Sequence, residues 1–228
     1  MTITPNILFR AAGGAAVLAG LIFIGVQFNH PYLDATAITT TDVVTRNSLK
    51  MLMAALALAG ITGMYLRQVT KIGVLGLLGY VLFAAGYLSM LGTEYVAALV
   101  LPSIAHGASA YTNDVISFAN NRPVTGDIGL MKSAILFTGF TYVVGGVTFA
   151  IAMFRANVLA RWASVLLAVG TFAAVAVGIL PRYERLFALP TGLALVALGY
   201  SLWREQRQPA APPIPTPVTS KLDAVGAR

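Results

Sequence analysis

The 228-residue chain is 57% hydrophobic and only 10% charged, with a mean hydropathy of +0.79. A soluble domain carries roughly a quarter charged residues, so the shortfall excludes a sizeable soluble domain and points to a polytopic membrane protein whose charges sit in loops and at ends. The absence of cysteine excludes disulfides, thiolate metal sites and thiol catalysis. The net charge of +7 is spread thinly between apolar runs without a phosphate-tracking groove, so nucleic acid is not an expected partner.

In chain order, Met1–Arg10 precedes a first apolar run, Ala11–Val26. A basic start before an apolar run also describes a signal peptide. Gln27-Phe-Asn-His-Pro31 offers no small-x-small cleavage site, however, and an uncleaved span over about 8–28 is expected. Ala12, Ala16 and Gly20 recur every fourth position, a spacing that lets another helix approach closely. The polar loop 29–47 contains Thr39-Thr40-Thr41-Asp42, whose short oxygen-bearing side chains suit a helix start. The second span covers about 48–66, with Lys50 placed to snorkel to the interface and Ala55, Ala59 and Gly63 repeating the small-residue spacing. A tight turn, Arg67–Lys71, leads to the third span at about 72–91, which carries Gly73, Gly76, Gly79 and Gly86 on one broad side.

Residues 92–130 hold a short apolar piece, Val96–Ile104, broken by Pro102 and too short to span alone. It is read as an extension of the third helix, the alternative being an interfacial or re-entrant segment. The polar stretch Ala108–Gly129 follows, with a turn at Asn120-Asn121-Arg122-Pro123 and with Asp127 as a cap for the fourth helix. The fourth and fifth spans, about 131–154 and 158–180, form a hairpin across the basic link Arg155–Trp162. The sixth, about 186–203, has Pro190 near its start, where a missing N–H costs little, and ends at the interfacial pair Trp203-Arg204. The proline-rich tail 208–228 is expected to be disordered.

Six spans divide the loops between two sides. The N-tail, the 67–71 turn, the 155–161 link and the C-tail carry nine basic residues against Glu205 and Asp223, while the other side carries six basic against six acidic residues. The positive-inside rule then places both termini in the cytoplasm. A seventh span at Val96–Ile104 would weaken this asymmetry.

The one polar cluster to weigh lies on the outer side: His30, Asp34, Glu94, His106 and Asp114. Imidazole and carboxylate suit a divalent metal, but no two of these residues sit at i, i+4 on a helix, and ordinary loop polarity is the plainer reading. No metal, cofactor or catalytic residue is assigned. Glu94, His106 and His30 are kept as candidate ligand-binding residues. Glu94 is the most distinctive, because an ionisable group at the edge of the hydrocarbon core is a functional hypothesis by default; the alternative is an interfacial position beside Tyr95. No charged residue or histidine occupies the middle of any run, which counts against an ion-coupled carrier. No nucleotide-binding, metalloprotease or serine-hydrolase motif is present.

Three stretches carry a resemblance. Phe154-Arg-Ala-Asn-Val-Leu-Ala-Arg161-Trp162 with Leu180-Pro181, the closing Leu198-Gly199-Tyr200-Ser-Leu-Trp203-Arg204, and Glu94-Tyr95-Val96 with Leu101-Pro102 and Ala105 together resemble uncharacterised six-span membrane proteins of high-GC bacteria. The resemblance covers roughly 90–204, rests mostly on apolar residues, and implies a fold type and a bacterial inner membrane but no activity.

The expected fold is all-α: a six-span transmembrane helix bundle in the bacterial cytoplasmic membrane, with the lipid bilayer as its surroundings. The leading functional expectation is a non-enzymatic structural or accessory component that binds a membrane-protein partner or its own copies through small-residue helix faces. A carrier or channel for a small or lipophilic molecule is the alternative, and requires a cavity running from Glu94 toward the midplane. A metal-dependent enzyme at the outer surface is the second alternative, and requires His30, Glu94 and His106 to converge.

Overall fold

In the computed structural model, which describes residues 4–28, 31–176 and 184–205, every regular element among the described residues is helical. The helices are α1 (Pro5–Gly25), α2 (Thr41–Gln68), α3 (Gly73–Tyr95), α4 (Leu101–Ile104), α5 (Ser109–Ala119), α6 (Leu130–Ala156), α7 (Arg161–Ala176) and α8 (Glu184–Glu205). A 3₁₀ turn at Ala37–Thr39 precedes α2, and a π-helical turn at Val96–Val100 joins α3 to α4. Local chemistry sets several boundaries. Pro5 opens α1, where its missing N–H is not needed. At the other end of α6, Arg155 lies in the last turn and Asn157 takes a left-handed conformation (φ 52°) that terminates the helix.

The six long helices close a ring in the order α1, α2, α3, α6, α7, α8, with α8 packing back on α1. Where α1 meets α8, Gly13 faces Gly199 and Gly20 faces Gly192, so the two chains run antiparallel with glycines seven residues apart on both partners. A Cβ on Gly13 would lie 2.7 Å from the Gly199 carbonyl oxygen, so only glycine permits this approach. Gly79 and Gly86 of α3 likewise meet the α6 backbone at Phe149 and Tyr142, while Gly60 and Gly63 of α2 receive Ala16 and Ala12 of α1. Most of the small residues singled out in the sequence are therefore occupied by neighbours within the chain, whereas Ala55, Ala59 and Gly73 are exposed. Inside the ring, Phe83, Tyr87, Tyr142 and Phe149 form an aromatic core in which the Phe83 ring lies 4.8 Å from Tyr87 and 5.4 Å from Tyr142.

One end of the ring collects the start of α1, the α2–α3 and α6–α7 connections and the end of α8. Arg67 pairs with Glu205 at 2.8 Å there, Arg10 lies 5.7 Å from the Trp203 ring centre, and the Ser201 hydroxyl accepts from Ala160 N–H at 3.2 Å. The opposite end bears a cap built from residues 31–40, the π turn, α4, α5 and the 120–129 loop, with its own small core of Ile38, Val43, Leu101, Ala105, Val115, Ile116 and Ile128.

Four described helices are long and apolar enough to cross a membrane: Pro5–Gly25, Thr41–Gln68, Gly73–Ile104 and Leu130–Ala156. Arg161–Val175 is a shorter apolar helix, and the remainder of that run, like the proline-rich tail, lies outside the described residues. The third helix does continue through Val96–Ile104. Other details differ from the sequence reading. The polar stretch after it contains a further helix, α5, whose Val115 and Ile116 face the cap core. Asp127 does not cap α6; its carboxylate accepts from the Gly129 N–H at 2.8 Å, closing the turn before the helix. The α2 start is at Thr40–Thr41 as expected, but the Thr40 hydroxyl donates back to Ala37 O at 2.7 Å rather than accepting from the helix. Pro190 lies inside α8 rather than near its start, since the helix begins earlier, at Glu184.

Candidate functional site

The parts of the cap are tied to one another by side chains that accept or donate across loops. Asn113 Oδ1 accepts from Ala35 N–H at 2.7 Å, and Arg122 Nη2 donates to Leu33 O at 2.8 Å while its guanidinium lies 4.5 Å from the Tyr32 ring centre. The buried Asp114 carboxylate accepts from Thr125 N–H at 3.0 Å and Gly126 N–H at 2.9 Å, and also from the Thr125 hydroxyl. These bonds to the charged form, Thr125 N–H foremost, hold its carboxyl below the usual carboxylate range against the opposing effect of burial.

Beneath the cap, between α2, α3, the π turn, α5 and α6, is a cavity of about 340 Å³. Glu94, Lys50 and Asn47 line it, within walls that are otherwise mostly apolar, such as Ile38, Leu101 and Ile116. The local backbone explains why it exists. In the π turn, Leu101 N–H donates to Val96 O, five residues back. Carrying that register one residue further would require a donor at residue 102, and Pro102 has none. The Asn47 side chain, itself buried on α2, supplies it: Nδ2 donates to Ala97 O at 3.2 Å. A π turn of this kind widens a helix locally and recurs at functional sites. Here it sits one residue beyond the Glu94-Tyr95 pair, and Val96 and Ala97 form part of the cavity wall.

Glu94 makes no hydrogen bond or ion pair among the described residues; Lys50 is the charge near enough to act on it, yet the two are not within ion-pair distance (4.0 Å). Asn47 has its amide committed to Ala97, and no hydrogen bond among the described residues reaches its Oδ1.

The smaller cavity adjoins a larger cleft of about 970 Å³ bounded by α6, α7, α8 and the 118–124 stretch, with Met90, Ala119, Ile135, Thr138 and Gly139 lining both. Thr138 Oγ1 meets Ser89 Oγ at 2.6 Å, joining α6 to α3 below the junction. Tyr142 and Thr191 give the cleft a polar patch, and Asn121, Arg122 and Thr138 add polar groups toward the cap, in a wall that is otherwise mostly apolar. Its rim includes Leu136, Phe140 and Val175, which are exposed on the apolar perimeter of the ring, so the cleft opens sideways as well as toward the cap.

Of the candidate residues, Glu94 alone is found on a cavity wall. His106 is exposed in the turn after α4, and His30 lies outside the described residues. Asp34 is committed to its own turn, accepting from Thr36 and Ala37 N–H, and Asp114 to the 125–126 loop. Among the described residues no three of His, Cys, Asp and Glu could hold a metal ion. Sequence reasoning assigned Lys50 to snorkelling and did not single out Asn47 or Gly139. The signal for the first two was their i, i+3 spacing, which puts them on one face of α2. No family model, curated protein or solved structure matches the chain, so the chemistry of the site itself carries the functional reading.

Proposed function

We propose that the chain is a six-span protein of the bacterial cytoplasmic membrane, both termini inside, that holds a lipophilic molecule at its outer end and acts as a carrier for it. The observation that carries this is the adjoining pair of cavities, a largely apolar cleft opening on the apolar perimeter and the Glu94 cavity under the cap, which share the lining residues Met90, Ala119, Ile135, Thr138 and Gly139. A mostly apolar cleft with a few convergent polar groups is the ordinary form of a small-molecule site. The six-span reading is supported by the ring, to which α7 and α8 contribute as full members beside the four longer apolar helices. The orientation is supported by the end that carries Arg67, Lys71, Arg155 and Arg161, where the basic excess of the sequence collects. The accessory reading depends on small-residue faces free to receive another membrane protein, and most of those faces pack against neighbours in the chain; the cleft therefore has the stronger claim.

The test is native mass spectrometry of the full chain released from mild detergent, with organic extraction of whatever is retained. The matching variant is Gly139→Leu. Gly139 lines both cavities and has nothing within 4 Å of where a Cβ would stand, so the added side chain fills the junction without striking backbone. Wild type is expected to retain a lipophile, and the variant to lose it with an unchanged melting temperature. Equal retention by both, or a wild type that carries nothing, refutes the proposal.

A further inference from the structure

We infer that the smaller cavity recognises a zwitterionic group, with Glu94 receiving a primary ammonium and Lys50 receiving the attached anion. The inference rests on the cleft reading above and names the head of the molecule whose apolar part occupies the cleft.

Glu94 and Lys50 stand on adjacent helices, α3 and α2, and both line a cavity whose other walls are mostly apolar. A carboxylate and an ammonium in such surroundings are costly unless paired or hydrogen-bonded. A structural ion pair is the simplest solution, and two form elsewhere among the described residues, Arg46 with Asp42 and Arg67 with Glu205, at 2.9 and 2.8 Å. Glu94 and Lys50 do not make one, although Asn47, one helical turn from Lys50, is in hydrogen-bonding contact with the π turn next to Glu94. The two charges thus line one cavity without closing into an ion pair. An occupant carrying both signs at matching separation satisfies the two at once, whereas a purely anionic head satisfies Lys50 and leaves Glu94 facing a like charge.

The remaining polar groups fit an ammonium donor. The bond from Nδ2 to Ala97 O orients the Asn47 amide, and its Oδ1 is an acceptor without a donor among the described residues. The Asn120 amide donates one of its two N–H groups to Ile116 O at 2.7 Å, and Asn120 lines the same cavity. An ammonium has three donors and no acceptor, and Glu94 with Asn47 Oδ1 offers acceptors on the two facing helices. The lining shared at Met90, Ile135 and Gly139 sets this head site beside the cleft that would take the apolar tail.

The experiment offers the purified full chain equimolar phosphatidylethanolamine and phosphatidylglycerol of identical acyl chains in mixed micelles, and reads the retained ratio by native mass spectrometry. A charge-assisted contact of the ammonium with Glu94 predicts a preference for the ethanolamine lipid of about tenfold or more. That preference is expected to vanish when the lipid amine is capped by N-acetylation, a control that leaves the protein untouched, and to fall to about equality in Glu94→Gln. Lys50→Met is expected to lower retention of both lipids. Absence of a preference in wild type, or a preference that survives both the capped lipid and Glu94→Gln, overturns the inference. Free glycerophosphoethanolamine separates the two sources of this chemistry: displacement of the lipid assigns the site to a soluble zwitterion, and failure to displace assigns it to a lipid head, both of which uphold the zwitterion site. The two proposals fail differently. Lipid retained without head preference overturns the zwitterion site and leaves the cleft standing, whereas head preference retained undiminished in Gly139→Leu overturns the cleft.

Discussion

The bond from Asn47 to Ala97 O replaces a main-chain donor that Pro102 cannot provide, and this makes a quantitative expectation for a pair of substitutions. Asn47→Ala removes the donor and leaves Ala97 O without a partner beside a side chain that is only 3% exposed. A fully buried carbonyl stranded in this way costs about 1–3 kcal/mol, and the half-buried Ala97 O is expected at the lower end of that range. Pro102→Ala restores an N–H at the position where the π register of Leu101 on Val96 O would next require one, so the double variant recovers most of that loss. The coupling energy between the two sites is expected to be about 1–2 kcal/mol, in the range of directly linked groups. The four proteins are compared by reversible unfolding in mixed micelles of rising sodium dodecyl sulfate, followed by far-ultraviolet circular dichroism, with ligand removed beforehand. An equal cost of Asn47→Ala in the proline and alanine backgrounds would show that the carbonyl does not depend on which residue supplies its donor, and would refute the linkage.

Three further outcomes follow from other parts of the molecule. Gly20→Ala drives a Cβ against the α8 backbone, with Val196 N 2.9 Å away, and is expected to destabilise by about 1–3 kcal/mol; Gly14→Ala on the same helix meets nothing within 4 Å and is expected to be neutral or slightly stabilising in the same unfolding assay. Because the folded-state value of Asp114 is lowered, its hold on the 125–126 loop is fully present above the ordinary carboxyl value of 3.8 and is lost as pH falls through the lower folded value. Hydrogen exchange at Thr125 and Gly126, corrected for intrinsic rate, should therefore show strong protection at pH 6 that weakens only in strong acid, and Asp114→Asn should remove it at both; equal protection in the variant would show that the carboxylate does not hold the loop. The cysteine-free chain suits single-cysteine labelling: with six spans and both termini inside, a membrane-impermeant maleimide labels His106→Cys in intact cells and Lys71→Cys only after permeabilisation, and the reverse pattern would invert the topology.

The ring was legible wherever one residue type dominates a long stretch. Apolar runs announced the helices, and small residues at regular spacing announced close approach at Gly20–Gly192 and Gly79–Phe149, though the same spacing also picked out Ala55 and Ala59, which are exposed. What receives each small-residue face was not legible, because the same spacing serves a neighbour in the chain and a separate protein equally well. The structure resolves this through pairings distant in sequence: α1 meets α8, and α3 meets α6. Local chemistry misled at the helix ends for a similar reason. Asp127 and Thr40 carry the right atoms for capping, but each has a nearer partner in its own turn, the Gly129 N–H and the Ala37 carbonyl. The α5 helix was hidden by its polarity, because its apolar residues serve a small cap core and not lipid.

The site shows the same limit more sharply. Glu94 was singled out because a charge at the margin of an apolar run is conspicuous in isolation. Asn47 and Lys50 were not, because each has an ordinary explanation at the outer end of a transmembrane helix. Their role emerges only through Pro102, a residue that reads in the sequence as an interruption of an apolar stretch. Once the helix continues through that proline, a carbonyl loses its donor and a side chain from α2 must replace it. That replacement ties α2 to the π turn one residue beyond the Glu94-Tyr95 pair and sets Lys50 across a cavity from the carboxylate, without bringing the two into an ion pair. Proline in the helix, amide on its neighbour and separated charges are thus one arrangement, and the separation is the part that folding alone does not explain. Two opposite charges left apart in mostly apolar walls cost free energy in the empty protein, and an occupant bearing both signs removes that cost.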